Sequence, residues 1–376
     1  MADAFKNRID ADLVGAIAKH LVRVSKEFPQ DRFVKLANTG LDELELKERV
    51  THLADALAHC LPENFDEAVA VLERSLAPER FDDDLAKLTT SEHGLAGWAV
   101  WPMTDYIARC GLAHPERALK ALHALTKRNT AEYAIRPFLV GHRDLTMAAF
   151  KRWVHDPSPH VRRLVSEGSR PRLPWGMQLK FLVEDPTPTF AFLKQLQGDD
   201  SSYVRRSVAN HLNDISKDHP GRVAEWLKLY LPNADQELRA LLRHASRTLF
   251  KRCDRRVLRV WGMAAKLRGS AVFVIEPSKV HVGEAVHLTV ELRSLGKSVQ
   301  PLMIDYVVHH VRSGGGTSAK TWKGWQVELQ VDEHRCLSKK HSLRPVTTRR
   351  DYTGLHQVDI VVNGFVVASA AFELVA

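Results

Sequence analysis

The strings Val161-Arg162-Arg163 and Val204-Arg205-Arg206 stand 43 residues apart, and each follows a turn rich in Asp, Ser and Pro: DPSP before the first, DDSS before the second. Leu238-Arg239 after PNADQE is a weaker third copy, and Ile135-Arg136 a degenerate earlier one. A period of ~40 residues is that of HEAT-type helix pairs. A single pair cannot bury its own apolar face, so pairs stack into a curved array with a concave surface. The repeated Asp and Arg, Asp156 with Arg162 and Asp200 with Arg205, are expected to brace neighbouring repeats by charge-assisted bonds.

Upstream of the repeats the chain also reads as helix. In the stretch from Asp10 to Phe28, Leu13, Ile17, Leu21 and Val24 recur on one helical face. Pro62 ends a helical run over 41–61, and Asn64 can cap the next one. Further helices are expected over 95–109 and 115–125. Near Arg268-Gly269-Ser270 the pattern changes. AVFVIEP, AVHLTVELRS, LMIDYVVHHV, WQVELQVD and LHQVDIVVNGFVVASAAFELV alternate and are rich in Val and Ile. Asn363-Gly364 between two apolar runs is a strong hairpin signal. The fold expected is therefore mostly α: an α-α superhelical solenoid of HEAT-like repeats over 1–269, followed by an all-β immunoglobulin-like sandwich over 270–376. Cys336 is the only cysteine in that second part, so an intersheet disulfide is ruled out.

The charge points to a polyanion. The net charge is +9, and from Arg239 to Arg268 ten Lys and Arg stand against one acid, Asp254. Arg239, Arg243, Arg247 and Lys251 recur every fourth residue, which on one helix would form a single stripe. Such a stripe repels itself unless a polyanion neutralises it. No apolar run approaches the roughly 20 residues that span a bilayer, and MADAFKNRIDADLV lacks a signal-peptide core. A cytoplasmic protein is expected. The four scattered cysteines read as reduced thiols. Gly-rich phosphate loops, HExxH and zinc spacings are missing, so neither a metal nor a cofactor is expected.

Three acids do not belong to the repeat pattern. Glu132 sits among apolar residues in NTAEYAIRPFL, Glu167 in RRLVSEGSRPR, and Asp214 in ANHLNDIS. Each alone reads as an ion-pair partner. Together on a basic surface they make sense if the ligand is locally cationic. A base alkylated on a ring nitrogen is cationic, and its departure leaves an oxocarbenium-like sugar that carboxylates stabilise. One carboxylate can also orient or deprotonate the attacking water. Trp175, between Pro174 and Gly176 and just after Arg170 and Arg172, is open between a packing residue and a contact to a nucleotide's sugar or base. Trp98, Trp101, Trp153 and Trp226 read as core. In the second domain the loop 309–323, with Arg312 and Lys320, is open between a DNA contact and an ordinary hairpin loop.

The strings NTAEYAIRPFL, HVRRLVSEGSRPRLPWG and YVRRSVANHLNDISKDHP closely resemble the AlkC branch of the HEAT-like-repeat DNA alkylation repair glycosylases, across essentially the whole helical part. The strand-rich tail resembles the immunoglobulin-like domain some members carry. The resemblance implies a monofunctional enzyme, acting as a monomer on double-stranded DNA. It would excise cationic N-alkylated bases, chiefly 3-methyladenine and, in this branch, 3-methylcytosine, without swinging the base into a deep pocket. It further implies Glu132, Glu167 and Asp214 as the acids at the lesion and Trp175 as the aromatic contact. Arg170, Arg172, Arg243, Arg247, Lys251, Arg312 and Lys320 are the cations expected at DNA. The competing expectation is a non-catalytic HEAT-repeat scaffold for nucleic acid or protein, which explains the repeats and the charge but not the acids.

Overall fold

A computed structural model describes residues 5–80, 83–344 and 352–376. The chain divides into two compact units, Met1–Asp218 with Asp235–Ala245, and His219–Ala234 with Ser246–Ala376. The change from helix to strand falls at Gly269. Among the described residues no helix is long and apolar enough to cross a membrane.

The first unit is a run of packed helices. Asp10 caps the Ala11–Val24 helix by accepting from Leu13 N at 2.9 Å, and Val14, Ile17 and Leu21 form its buried stripe. Asn64 caps Phe65–Arg74 in the same way. The 43-residue repeat appears as helix pairs: Arg143–Trp153 with Pro159–Gly168, then Thr187–Leu196 with Ser202–Asp218. The Pro159–Gly168 helix packs on Ser202–Asp218, which packs in turn on Gln236–Ala245.

The two turns share one geometry. Asp156 Oδ1 accepts from Ser158 N, and Asp199 Oδ1 accepts from Ser201 N. The residue equivalent to Asp156 is thus Asp199, not Asp200. The bracing also runs differently from the expectation. Arg162 takes the main-chain carbonyls of Asp156 and Pro157 in its own turn, while its Nε and Nη2 meet the Asp199 carboxylate of the next repeat at 2.6 and 2.9 Å. Arg205 repeats this, with the carbonyls of Asp199 and Asp200 and then Glu237 at 3.0 Å. The Asp156 carboxylate belongs to His123 of the preceding repeat, at 2.7 Å. A guanidinium has enough donors to serve its own turn and its neighbour together, which is why the Arg recurs.

The second unit carries a sandwich. Its strands are β1 (Gly269–Glu276), β2 (Lys279–His281), β3 (Ala285–Ser294), β4 (Gln300–Val311), β5 (Thr317–Leu329), β6 (His334–Ser342), β7 (Gly354–Val362) and β8 (Phe365–Val375). They form a three-stranded sheet, β1-β3-β6, and a five-stranded sheet, β2-β8-β7-β4-β5. The alternating residues Val286, Leu288, Val290 and Leu292 of β3 and Leu302, Ile304, Tyr306 and Val308 of β4 fill the core. Asn363 and Gly364 both have positive φ, 51° and 81°, so the β7–β8 connection is the two-residue turn whose twist suits a hairpin. β6 carries little strand signal in the sequence because HRCLSKKHS has one strongly apolar residue, Leu337, which packs against the core. All four cysteines are free thiols.

Arg162→Met should leave the nearly buried Asp199 carboxylate without its cation, holding only the Ser201 N–H. Stability should fall by about 3 kcal/mol, read from the urea midpoint. Lys279→Ala, which breaks an exposed pair with Glu373, should change it by no more than about 0.5 kcal/mol.

Candidate active site

Arg163 and Glu167 lie one turn apart on the Pro159–Gly168 helix, so their side chains share a face. The helix stops at Gly168, where a Cβ would sit 2.5 Å from Ile135 Cγ2. Only glycine lets the helix end approach Ile135 this closely, and the chain then turns to present Arg170. On the facing Ser202–Asp218 helix, Ser207, His211 and Asp214 fall on one face. Glu132 comes from the turn before the Arg136–Gly141 helix.

These elements bring the three acids together through the cations between them. Arg163 Nη1 meets Glu132 Oε2 at 2.7 Å, and its Nη2 lies 3.7 Å from Glu167 Oε1. Arg170 Nη1 meets the same Glu167 oxygen at 2.6 Å, while its Nε meets Asp214 Oδ2 at 2.8 Å. Lys217 Nζ closes the row on Asp214 Oδ1 at 2.8 Å. Acid and base alternate along the whole line. Ser207 donates to Glu167 Oε2 at 2.6 Å, and Thr130 donates to Glu132 Oε2 at 2.8 Å.

The acids are buried, contrary to the expectation that they occupy an exposed inner surface: Glu132 is 8% exposed, Glu167 5% and Asp214 1%. Their own partners cover them. Burial works to raise the Glu167 pKa, but Arg163, Arg170 and the Ser207 hydroxyl outweigh it and hold the carboxyl below its ordinary value. Glu167 is therefore an ionised, fully oriented carboxylate.

Trp175 lies on the other side of Glu132. It is 63% exposed and has a φ of 63°, a left-handed conformation that costs a tryptophan energy. Lys47 Nζ donates to its carbonyl at 2.8 Å. With Phe5, Trp98, Trp101 and Tyr133 it lines an open cleft of about 530 Å³, and Glu132 forms part of the wall. Trp98 and Trp101 are half-buried, with ring centroids 5.9 Å apart, and Trp101 stacks on Tyr133 at 5.5 Å. They are cleft walls, not the core residues expected of them; Trp153 and Trp226 are buried as expected.

A family model described as "Uncharacterised protein YhaZ, C-terminal Ig-like domain" matches residues 270–376. Across 100% of both chains, the protein is 33% identical to "Uncharacterized protein YhaZ" of Bacillus subtilis (strain 168). The solved structure of the Pseudomonas fluorescens alkylpurine DNA glycosylase AlkC, bound to DNA containing an abasic site analog, is also 33% identical with 100% of each chain covered. Its TM-score is 0.87. The chain belongs to the AlkC family.

In this AlkC-family chain the cations expected at DNA are placed unequally. Arg170 is buried between Glu167 and Asp214, so it holds acids and does not face solvent. Arg172 forks onto Asp218 at 2.7 and 2.8 Å. The four-residue stripe is interrupted at Ser246: Arg239 and Arg243 belong to the Gln236–Ala245 helix of the first unit, Arg247 and Lys251 to the Arg247–Lys251 helix of the second. Arg312 is exposed in the β4–β5 turn, and Lys320 is exposed on β5 with Nζ 4.4 Å from the Trp322 ring centroid. Arg163 and Ser207 orient Glu167, whereas the sequence alone reads Arg163 as part of the repeat and Ser207 as an ordinary helix serine. Both stand at helical spacing from a singled-out acid, Arg163 four residues before Glu167 and Ser207 seven before Asp214.

His211 packs beneath the acids, its Nδ1 2.9 Å from Ser166 O, and burial pushes its pKa down to about 4. The unfolded chain takes up this proton near the ordinary value of 6.5 and the native state does so only near 4. Stability should therefore fall with decreasing pH across that window, by about 3 kcal/mol from this group alone. In urea unfolding between pH 7 and pH 4.5, His211→Gln should lose about 2 kcal/mol less than the parent. Equal losses would assign the pH dependence elsewhere. Glu167 acts lower: its contribution is complete above about 4.5 and is lost as pH falls through its depressed folded value.

Proposed function

We propose that the protein is a monofunctional DNA glycosylase that hydrolyses the N-glycosidic bond of cationic N-alkylated bases, 3-methyladenine and 3-methylcytosine, in base excision repair. The buried alternation of Glu132, Arg163, Glu167, Arg170 and Asp214 carries this reading. Burying charges costs about as much in desolvation as their attraction returns, so apolar residues would serve the fold equally well. Charges kept at such a place are better explained by chemistry. Carboxylates fixed in place by arginines stabilise the positive charge that develops on the sugar as a cationic base departs, without reorganising at that moment.

In this reading Glu132, Glu167 and Asp214 are the acids at the lesion, and one of them orients the attacking water. Trp175 contacts the lesion nucleotide from its exposed position, and the alkylated base needs no deep pocket. The helical part, 1–269, performs the chemistry. The sandwich, 270–376, meets double-stranded DNA through Arg312 and Lys320. Arg172, Arg243, Arg247 and Lys251 supply further phosphate contacts. Arg170 is withdrawn from that set because both its neighbours are acids. The protein works as a monomer in the cytoplasm.

The test is base release from a methylated duplex under single-turnover conditions, with the freed bases identified. Glu167→Gln and Asp214→Asn keep the shape and remove the charge. Each should slow release at least about 10²-fold while DNA affinity stays level or rises. Tight binding by the unsubstituted protein with no base released would instead identify a non-catalytic scaffold.

A further inference from the structure

Arg136 is the largest side chain among those buried almost completely. Its guanidinium is directed at main chain, not at a carboxylate. Nε donates to Met177 O at 2.7 Å and Nη1 to Gly168 O at 2.8 Å, while Nη2 has no hydrogen-bond partner among the described residues. Gly168 follows Glu167, and Met177 lies two residues beyond Trp175. Gly176 is pressed against the same side chain: a Cβ there would lie 3.4 Å from Arg136 Cδ and Nε. One guanidinium thus ties the end of the helix bearing Glu167 to the loop bearing Trp175.

Both ends of this tie need holding. Trp175 keeps a left-handed backbone that an unsupported loop would relax. Besides Arg136, the loop is held by two local bonds, Gly176 N to Leu173 O and Leu179 N to Pro171 O, by the Arg172 fork onto Asp218, and by Lys47 donating to Trp175 O. Lys47 is exposed and the Arg172–Asp218 pair partly so, whereas Arg136 is buried, so Arg136 is the stiffer anchor. Burial first, and then the neighbouring Arg170, push its pKa down to about 10 against the opposing pull of Asp214, Glu132 and Glu167. A buried cation spent on two carbonyls is poorly explained by stability alone.

We propose that Arg136 is a positioning residue that fixes Trp175 relative to Glu167, so that the indole and the carboxylate address one nucleotide in a set geometry. The proposal rests on the glycosylase reading for its consequence, and on the fork geometry for its cause. A lysine has a point charge and cannot span both carbonyls.

Four variants of the full chain test it: Arg136→Met, Arg136→Lys, Trp175→Ala and the Arg136→Met/Trp175→Ala double. Arg136→Met should slow single-turnover release between about ten- and a hundredfold, with DNA affinity changed less than the rate. The losses should not multiply: the double variant should be about as slow as Trp175→Ala alone. Losses that multiply would mean that Arg136 acts without Trp175 and would overturn the proposal, as would a wild-type rate in Arg136→Lys. Amide hydrogen exchange provides an arm independent of activity. Exchange over 172–179 should rise in Arg136→Met, with the Ser202–Asp218 helix unchanged; unaltered exchange in the loop would sink the tie. If the unsubstituted protein releases no base, the glycosylase reading fails, and the exchange arm still decides the tie.

Discussion

Arg170 between Glu167 and Asp214 is the contact on which the rest of the site depends. The two carboxylates come from neighbouring helix pairs and would repel one another without a cation between them. With Arg170 in place, and Arg163 performing the same service between Glu132 and Glu167, three acids from three segments become one rigid array. Every member is bonded on both sides or capped by a hydroxyl, so the array has few ways to rearrange. Low dielectric makes such a network strong when complete and costly when broken. Its geometry is set before any ligand arrives, which is what electrostatic stabilisation of a developing charge requires.

The solenoid supplies the spacing that makes this array possible. Arg162 and Arg205 lock each turn to the next pair through main-chain carbonyls and a carboxylate. That lock sets the distance between the Pro159–Gly168 and Ser202–Asp218 helices, and hence between Glu167 and Asp214. Scaffold arginines at 162 and 205 therefore differ in task from the adjacent Arg163, although the sequence repeats them as a pair. Toward solvent, the aromatic cleft begins where the charge row ends, and Glu132 belongs to both.

Much of this was legible in the chain. The 43-residue recurrence announced helix pairs, and the alternating Val and Ile after Gly269 announced the sandwich. Asn363-Gly364 marked its hairpin. The three acids stood out because the repeat did not need them. Other features were illegible for identifiable reasons. β6 has a single strongly apolar residue, Leu337, on its inner face, so alternation gave no signal. The basic stripe looked continuous because a four-residue spacing cannot reveal the interruption at Ser246. Trp98 and Trp101 looked like core because an aromatic residue in an apolar helix carries no mark of which side faces a cleft. Arg136 looked like a worn repeat position, although a lone arginine within AEYAIRPFLV was a clue to a buried tie.

The residue types thus determined that this chain stacks helix pairs, closes a sandwich and carries acids its scaffold does not require. Periodicity and turn chemistry are local properties and can be read along a line. What only the tertiary structure decided was the pairing: that Arg170 turns inward to join two acids, that Glu167 and Asp214 are buried, and that Arg136 reaches two carbonyls 32 and 41 residues away. Those outcomes depend on which atoms meet across neighbouring repeats, and a charge does not announce from its position in a string whether it will meet solvent or a partner.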